Sequence, residues 1–284
     1  MTALKYFVHV APMKPAVSDD LPPGEERRMW SPTSSILIAG ERDAVLVDPL
    51  LTTKEAKTLT DWVVATGKNL TTIFVTHAHG DHFFGAATVL ERFPHADLLA
   101  TTSVSEHMAA QWGPRWFDGF WNPRFPDQIS DHHVIARPLP DDGLIKLEGE
   151  ELRAIDLGHT DTDGSSALHV PSIGLVVAGD AVYGDVHLYL AEARGMGIQS
   201  WREALDTIEA LEPTAVVAGH KRSGDPDAPH DIARTRQYIS DFTAAADNAT
   251  TFHDLYDSMV ALYPDRLNRG VLWNSAKAFL GPRQ

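Results

Sequence analysis

His77, His79, Asp81 and His82 fall within six residues, directly after the apolar run Ile73-Phe74-Val75. Imidazole and carboxylate are the side chains that hold zinc and neighbouring divalent metals, so four of them this close together describe a metal grip. An extended chain points alternate side chains the same way, which lets His77 and His79 hold one ion between them. Gly80 permits a sharp turn, after which Asp81 and His82 face a different point at the mouth of the next helix. A histidine-rich surface loop is the plainer alternative, and the buried-strand pattern just before the cluster argues against it. Three more candidates each follow an apolar run: His159 in Gly-His-Thr, Asp180 in Ala-Gly-Asp and His220 in Ala-Gly-His. Each alone is an ordinary residue. In this order, at successive strand ends, they describe a site on one rim of a sheet assembly.

The elements that must position these residues are legible as a layered α/β pattern. Strands are expected over residues 1–10, 34–39, 44–47, 73–75 and 97–101, with a hairpin turn at Gly40-Glu41-Arg42-Asp43. Pro-rich residues 12–30 read as loop or edge material. Asp48, ending a strand, is expected to support the site and not to ligate. Thr52 and Glu55 form a capping-box pattern, with Ala56, Leu59 and Val63 as the buried stripe and Gly67 as the stop. Phe84, Ala87, Val89, Leu90 and Phe93 suggest a helix ending before Pro94. In the second half, strands at 144–147 and 152–157 are joined by Glu148-Gly149-Glu150, and 166–170, 175–177 and 215–218 follow. Ser200 and Glu203 suggest a second capping box, opening a helix with Trp201, Leu205, Ile208 and Leu211 on one face. A helical tail over about 229–284 completes a single domain spanning 1–284. Residues 111–127 fit neither period and pack Trp112, Trp116, Phe117, Phe120 and Trp121 among Gly and Pro. That stretch is either a pinned loop, a contact between two copies in a homodimer, or a lid or pocket wall over the site.

Composition narrows the chemistry. There is no cysteine, so thiolate ligands, disulfides and cysteine nucleophiles are excluded. A formal charge of -15 disfavours nucleic acid as a partner and leaves a small-molecule substrate. No apolar run has membrane-spanning length, and the start reads as a strand and not a signal peptide, so a cytoplasmic protein is expected.

The HxHxDH run with the three later motifs resembles the metallo-β-lactamase superfamily over roughly residues 30–240. The resemblance implies an αβ/βα sandwich and two divalent metal ions, zinc first, with iron or manganese as alternatives. His77, His79 and His159 would hold the first ion, Asp81, His82 and His220 the second, and Asp180 would bridge them. An ion-bound hydroxide would then attack a carbonyl, with Asp81 and Tyr183 as the residues expected to take part in catalysis. Asp180 and the lack of cysteine set the chain apart from true β-lactamases. It is similar instead to the branch holding acyl-homoserine lactonases and glyoxalase-II-type thioesterases, and Tyr183 stands where the lactonases carry a substrate-contacting tyrosine. Esters or lactones are therefore the first expectation, with thioesters and phosphodiesters after them. The tail lacks an obvious match to the basic glutathione-binding positions of glyoxalase II. An iron-dependent redox enzyme of the same fold is the non-hydrolytic alternative, and a non-catalytic binding module is disfavoured by the complete ligand set. After His159 the sequence Thr160-Asp161-Thr162-Asp163-Gly164-Ser165 is longer than the usual Gly-His-Thr-x-Gly-Ser, and Asp161 and Asp163 read as solvated turn residues. The other histidines read as surface or core, His187 being singled out for its nearness to Asp180.

Overall fold

The structure is a computed structural model that describes residues 3–281. In its first half the chain forms β1 (Lys5–Ala11), the short strands β2 (Lys14–Ala16) and β3 (Arg28–Trp30), then β4 (Thr33–Ala39), β5 (Asp43–Val47), α1 (Thr53–Ala65) and β6 (Asn69–Phe74). Next come α2 (Gly80–Phe83), α3 (Ala86–Arg92), β7 (Asp97–Ala100) and α4 (Thr102–Gln111). A π-helical segment, Pro114–Trp121, leads into α5 (Asn122–Arg124) and β8 (Arg137–Pro138). The second half gives β9 (Leu144–Leu147), β10 (Glu150–Gly158), β11 (Ser165–Val170), β12 (Leu175–Gly184), α6 (Met196–Glu209) and β13 (Ala215–Lys221). Helices α7 (His230–Asn248), α8 (Phe252–Leu262) and α9 (Arg269–Leu280) follow. Met1, Thr2 and residues 282–284, where the first strand and the tail were also expected, lie outside the described residues.

Two mixed sheets result. One runs β1-β4-β5-β6-β7-β8, the other β13-β12-β11-β10-β9, while β2 and β3 pair separately. Strand alternation sets the layers. Ile36, Ile38, Val45, Val47 and Phe74 face Leu152, Leu168, Val170, Val177 and Val217 between the sheets. The intervening residues Leu37, Leu46 and Ile73 point the other way, onto Leu59 and Val63 of α1 and Val89 of α3. Val176, Ala178, Val216 and Ala218 likewise cover Trp201 and Leu205 of α6 and Ile239 and Phe242 of α7. This is the expected helix–sheet–sheet–helix sandwich. The ends of β5, β6, β12 and β13 meet along one rim of it, and the hairpin turn after β4 is pinned by Glu148, whose carboxylate accepts from the backbone N–H groups of Glu41, Arg42 and Asp43. Among the described residues no helix is long and apolar enough to cross a membrane.

Three expectations need correcting. Ser200 does not cap a helix: α6 begins at Met196, after Gly195 turns the chain at φ 65, and Ser200 lies inside it. The buried stripe of Trp201, Leu205 and Ile208 holds regardless. The aromatic stretch is not irregular, since Pro114–Trp121 winds as a π-helix whose wide turns accommodate its bulky rings. Residues 12–30 contain the paired strands β2 and β3, which bring Trp30 toward the rim.

The capping box at α1 is formed as the sequence predicts. Thr52 Oγ1 accepts from the Glu55 N–H, and the Glu55 carboxylate accepts from the Thr52 N–H. Thr52→Ala should therefore lower the free energy of unfolding by about 1 kcal/mol in urea titrations, without changing metal content.

Candidate metal centre

The chain leaves β6 through Val75 and Thr76, and the buried Asp48 at the end of β5 fixes that exit. Its carboxylate accepts from the Thr76 N–H at 2.9 Å and the Thr76 hydroxyl at 2.7 Å, and lies 3.0 Å from His82 Nδ1. The Thr76 hydroxyl, having donated to Asp48, accepts from His77 Nδ1 at 3.0 Å. His79 Nε2 faces Glu192 Oε1 at 3.3 Å, and His220 Nδ1 faces the Pro32 carbonyl at 2.8 Å. All four histidines are thus committed as donors at one nitrogen. The other nitrogen of each neutral ring presents its lone pair, an arrangement that orients metal-binding imidazoles.

Those free nitrogens converge with carboxylates. His77, His79, Asp161 and Asp180 each bring one ligand atom within 4.8 Å of the others, and Asp81, His82 and His220 do the same. Asp180 joins the two groups, with Oδ1 3.2 Å from His82 Nε2 and Oδ2 3.1 Å from His220 Nε2. Asp161 Oδ2 lies 2.8 Å from His79 Nδ1 and 3.8 Å from His77 Nε2. His77 Nε2, His82 Nε2, Asp161 Oδ2 and Asp180 Oδ1 are buried without a hydrogen-bond partner. Orphaned buried acceptors that share one small space need a cation. The donor set, imidazole and carboxylate without sulfur, fits a divalent metal.

In the protein alone, the same field raises the proton affinity of the rings that face carboxylates. Burial works against a charged imidazole, yet the facing carboxylates raise His79 and His82 well above the ordinary value, and His220 above it. Asp161 and Glu192 act on His79, and Asp180 and Asp81 on the other two. Burial together with neighbouring His82 lowers His77. Despite its burial, Asp180 is held well below the usual carboxylate range by His220 and His82.

Of the seven expected ligands, the structure brings together His77, His79, Asp81, His82, Asp180 and His220. It does not bring in His159, whose Nδ1 lies 2.5 Å from Asp163 and whose Nε2 packs against Gly197. Asp161, expected to be solvated, is instead completely buried and stands in the first cluster, among side chains that could hold a metal. The cause is local: β10 bulges between Asp156 and Gly158, and Gly158 turns at φ 67, so alternation beyond it no longer tells which side chain points inward. Asp163 is exposed, as expected. Gly80 is required for space as well as shape, because a Cβ there would stand 2.4 Å from the Phe84 ring and 2.8 Å from that of Trp121. Tyr183 is buried beside the cluster and donates its hydroxyl to Asp180 Oδ2 at 2.6 Å. Burial and the Asp180 charge raise its pKa well above 10.0, so it remains a proton donor.

Glu192 and Trp30 were not apparent as site residues. Glu192 also accepts from Thr162 at 2.9 Å, and burial notwithstanding, His79 and Thr162 hold its carboxyl down at about 2. The Trp30 indole N–H donates to Asp81 Oδ2 at 2.8 Å. Neither carries a local motif. A cavity of about 50 Å³ opens over the clusters, walled by Trp30, Trp116, Phe120 and Trp121. The aromatic stretch is therefore part of a pocket wall.

A two-sheet sandwich with histidines and aspartates gathered on one rim defines a metallohydrolase-type architecture. The profile described as Metallo-beta-lactamase superfamily matches residues 28–220, and the chain belongs to that family. It is 26% identical over 206 residues to a metal-dependent hydrolase of Thermococcus kodakarensis, covering 68% of this chain and 83% of that protein. It is 30% identical over 148 residues to the hydroxyacylglutathione hydrolase of Aeromonas salmonicida, covering 52% of this chain but only 45% of the relative. A metallo-beta-lactamase family protein of Thermus thermophilus superposes with a TM-score of 0.63 at 18% identity, covering 97% of this chain and 92% of that one. This last likeness speaks for the fold alone.

Which of Asp161 and His159 serves as a metal ligand is open to direct measurement. Asp161→Ala should weaken metal binding by more than the roughly 10–100-fold that loss of a ligand's supporting contact costs, whereas His159→Ala should leave metal content nearly unchanged by plasma mass spectrometry.

His187, singled out in the sequence, joins neither cluster. It is fully buried with Nδ1 2.8 Å from the Tyr238 hydroxyl, and burial, with the Arg266 and Arg269 charges, lowers its pKa from 6.5 to about 3. Between those values the unfolded chain binds a proton that the folded chain refuses, so stability falls as pH drops. By pH 5 this costs roughly 2 kcal/mol. In urea unfolding from pH 7 to pH 5, His187→Gln should lose correspondingly less stability than the parent protein.

Proposed function

We propose that this member of the superfamily is a dinuclear metal-dependent hydrolase that cleaves a carbonyl ester or lactone. The observation that carries the reading is the set of orphaned ligand atoms lying in two joined clusters at the floor of an aromatic-walled cavity. His77, His79, Asp161 and Asp180 would hold one ion, and Asp81, His82 and His220 the other, with Asp180 shared. When bound, such ions supply an activated water and polarise a carbonyl. Zinc is the expected metal, and the two carboxylates of the first group also admit iron or manganese.

The chain's own residues do the rest. Asp48, Glu192 and the Pro32 carbonyl fix the rings, and Trp30 fixes the Asp81 carboxylate. Tyr183 stays neutral, and its single O–H holds Asp180; it would have to turn from that carboxylate to donate to a developing oxyanion at the cavity. The indole and phenyl wall excludes water and favours a partly apolar substrate. A thioester is the second reading, favoured by the likeness to a hydroxyacylglutathione hydrolase.

The test is metal content of untagged protein, followed by ester, lactone and thioester panels on the same sample. About two divalent ions per chain with ester or lactone turnover supports the proposal. Preferential thioester turnover selects the second reading, and metal-loaded protein inert to all three overturns both. Trp116→Ala should raise KM for an aromatic ester about 5–10-fold, with a smaller effect on kcat. Unchanged KM would remove the aromatic wall from substrate recognition.

A further inference from the structure

The same cavity has a second polar region that the metal chemistry does not use. Arg28, at the start of β3, lines it and is only 8% exposed. One guanidinium nitrogen donates to the Gly270 carbonyl at 2.5 Å and another to the Asp20 carbonyl at 3.3 Å. Both partners are neutral acceptors. Among the described residues no Asp or Glu side chain forms a direct ion pair with Arg28; the Asp20 carboxylate, engaged by Trp273 and Lys277, acts on it only through space. A guanidinium has five N–H donors, so the two carbonyls leave part of the fork free. Burial, with Asp20 opposing it, lowers its pKa to about 10, so the charge is retained at neutral pH.

Asn268 lines the cavity too and is 9% exposed. Its Nδ2 donates to Ser31 Oγ at 2.7 Å, while its Oδ1 is buried without a partner. A buried cation with no directly paired carboxylate and a buried acceptor without a donor are both costly in an empty protein. They complement one ligand chemistry, an anion recognised bidentately with a donor beside it.

We propose that Arg28 and Asn268 form a substrate-recognition subsite for a carboxylate flanked by a hydroxyl or amide N–H. The substrate would then be a carboxylate-bearing ester or lactone. This rests on the reading of the cavity as the substrate site. Gly270 belongs to the device, since a Cβ there would stand 2.6 Å from Arg28 Nε and displace the guanidinium.

The experiment is equilibrium binding of mandelate and of mandelamide to the metal-loaded protein, read by quenching of the cavity tryptophans. The two probes share ring and hydroxyl and differ in charge. Mandelate should bind about tenfold tighter or more. In Arg28→Met that ratio should fall toward one, with metal content and Tm retained, so that any carboxylate contact to metal is held constant. Gly270→Ala keeps the charge, moves the fork and should also shrink the ratio; it decides the matter if Arg28→Met fails to fold. Equal binding of both probes to the parent protein, or a preference that survives in the folded variants, overturns the subsite. Because the readout is binding, a mandelate preference without turnover of any ester would sink the hydrolase reading and leave the subsite standing, and turnover without preference would do the reverse.

Discussion

Four carboxylates, Asp48, Asp81, Asp161 and Asp180, are buried in one seam where the two sheets meet. Like charges this close, removed from water, cannot coexist without positive charge among them. The rim is built around that constraint. Imidazoles alternate with the carboxylates, and the acids that three of them face raise their affinity for a proton. A divalent ion would answer the same electrostatic demand with more charge in less space, in competition with protons for the rings. The folded chain is thus poised for metal by its own field.

Such a field is useful only if the ligands cannot rotate away from it. Each ring is tied at its far nitrogen to an acceptor from a different element: the Thr76 hydroxyl, Glu192, Asp48 after β5, and the Pro32 carbonyl before β4. Asp180 is confined more tightly still. A Cβ on Gly219 would stand 2.1 Å from its Oδ1, so β13 can run this close to β12 only with glycine there. Sheet packing and ligand geometry are one constraint seen from two sides.

Local features were the legible ones. The pairing of His77 with His79 follows from strand alternation, and the α1 cap follows from one Thr–Glu spacing. Asp180 and His220 were legible because β12 and β13 carry them from clearly apolar runs. Legibility failed where the backbone stops being regular. The bulge at Gly158 breaks the parity that would have favoured His159, and the burial of Asp161 depends on a loop conformation that no spacing encodes. It failed again for contacts made across the chain: Trp30 and Asp81 are 51 positions apart, and His79 and Glu192 are 113 apart. The false cap at Ser200 shows the converse, a correct local pattern overruled by the Gly195 turn that starts α6 earlier.

The C-terminal helices, least informative in the sequence, have a consequence for the cavity. Val271 and Asn274 of α9, with Asn268 just before it, face the aromatic wall of Trp116 and Phe120 across the opening. The Arg28 side chain spans from β3 to the Gly270 carbonyl near the start of α9, so the helix is held at the cavity by the same side chain that carries its positive charge. The metal floor comes from the sheet rim that the family shares. The walls come from Trp30 of β3, the π-helical segment and the tail, elements far apart along the chain. None of the four ring anchors is drawn from the π-helical segment or the tail, although Trp30 ties the wall to the Asp81 carboxylate.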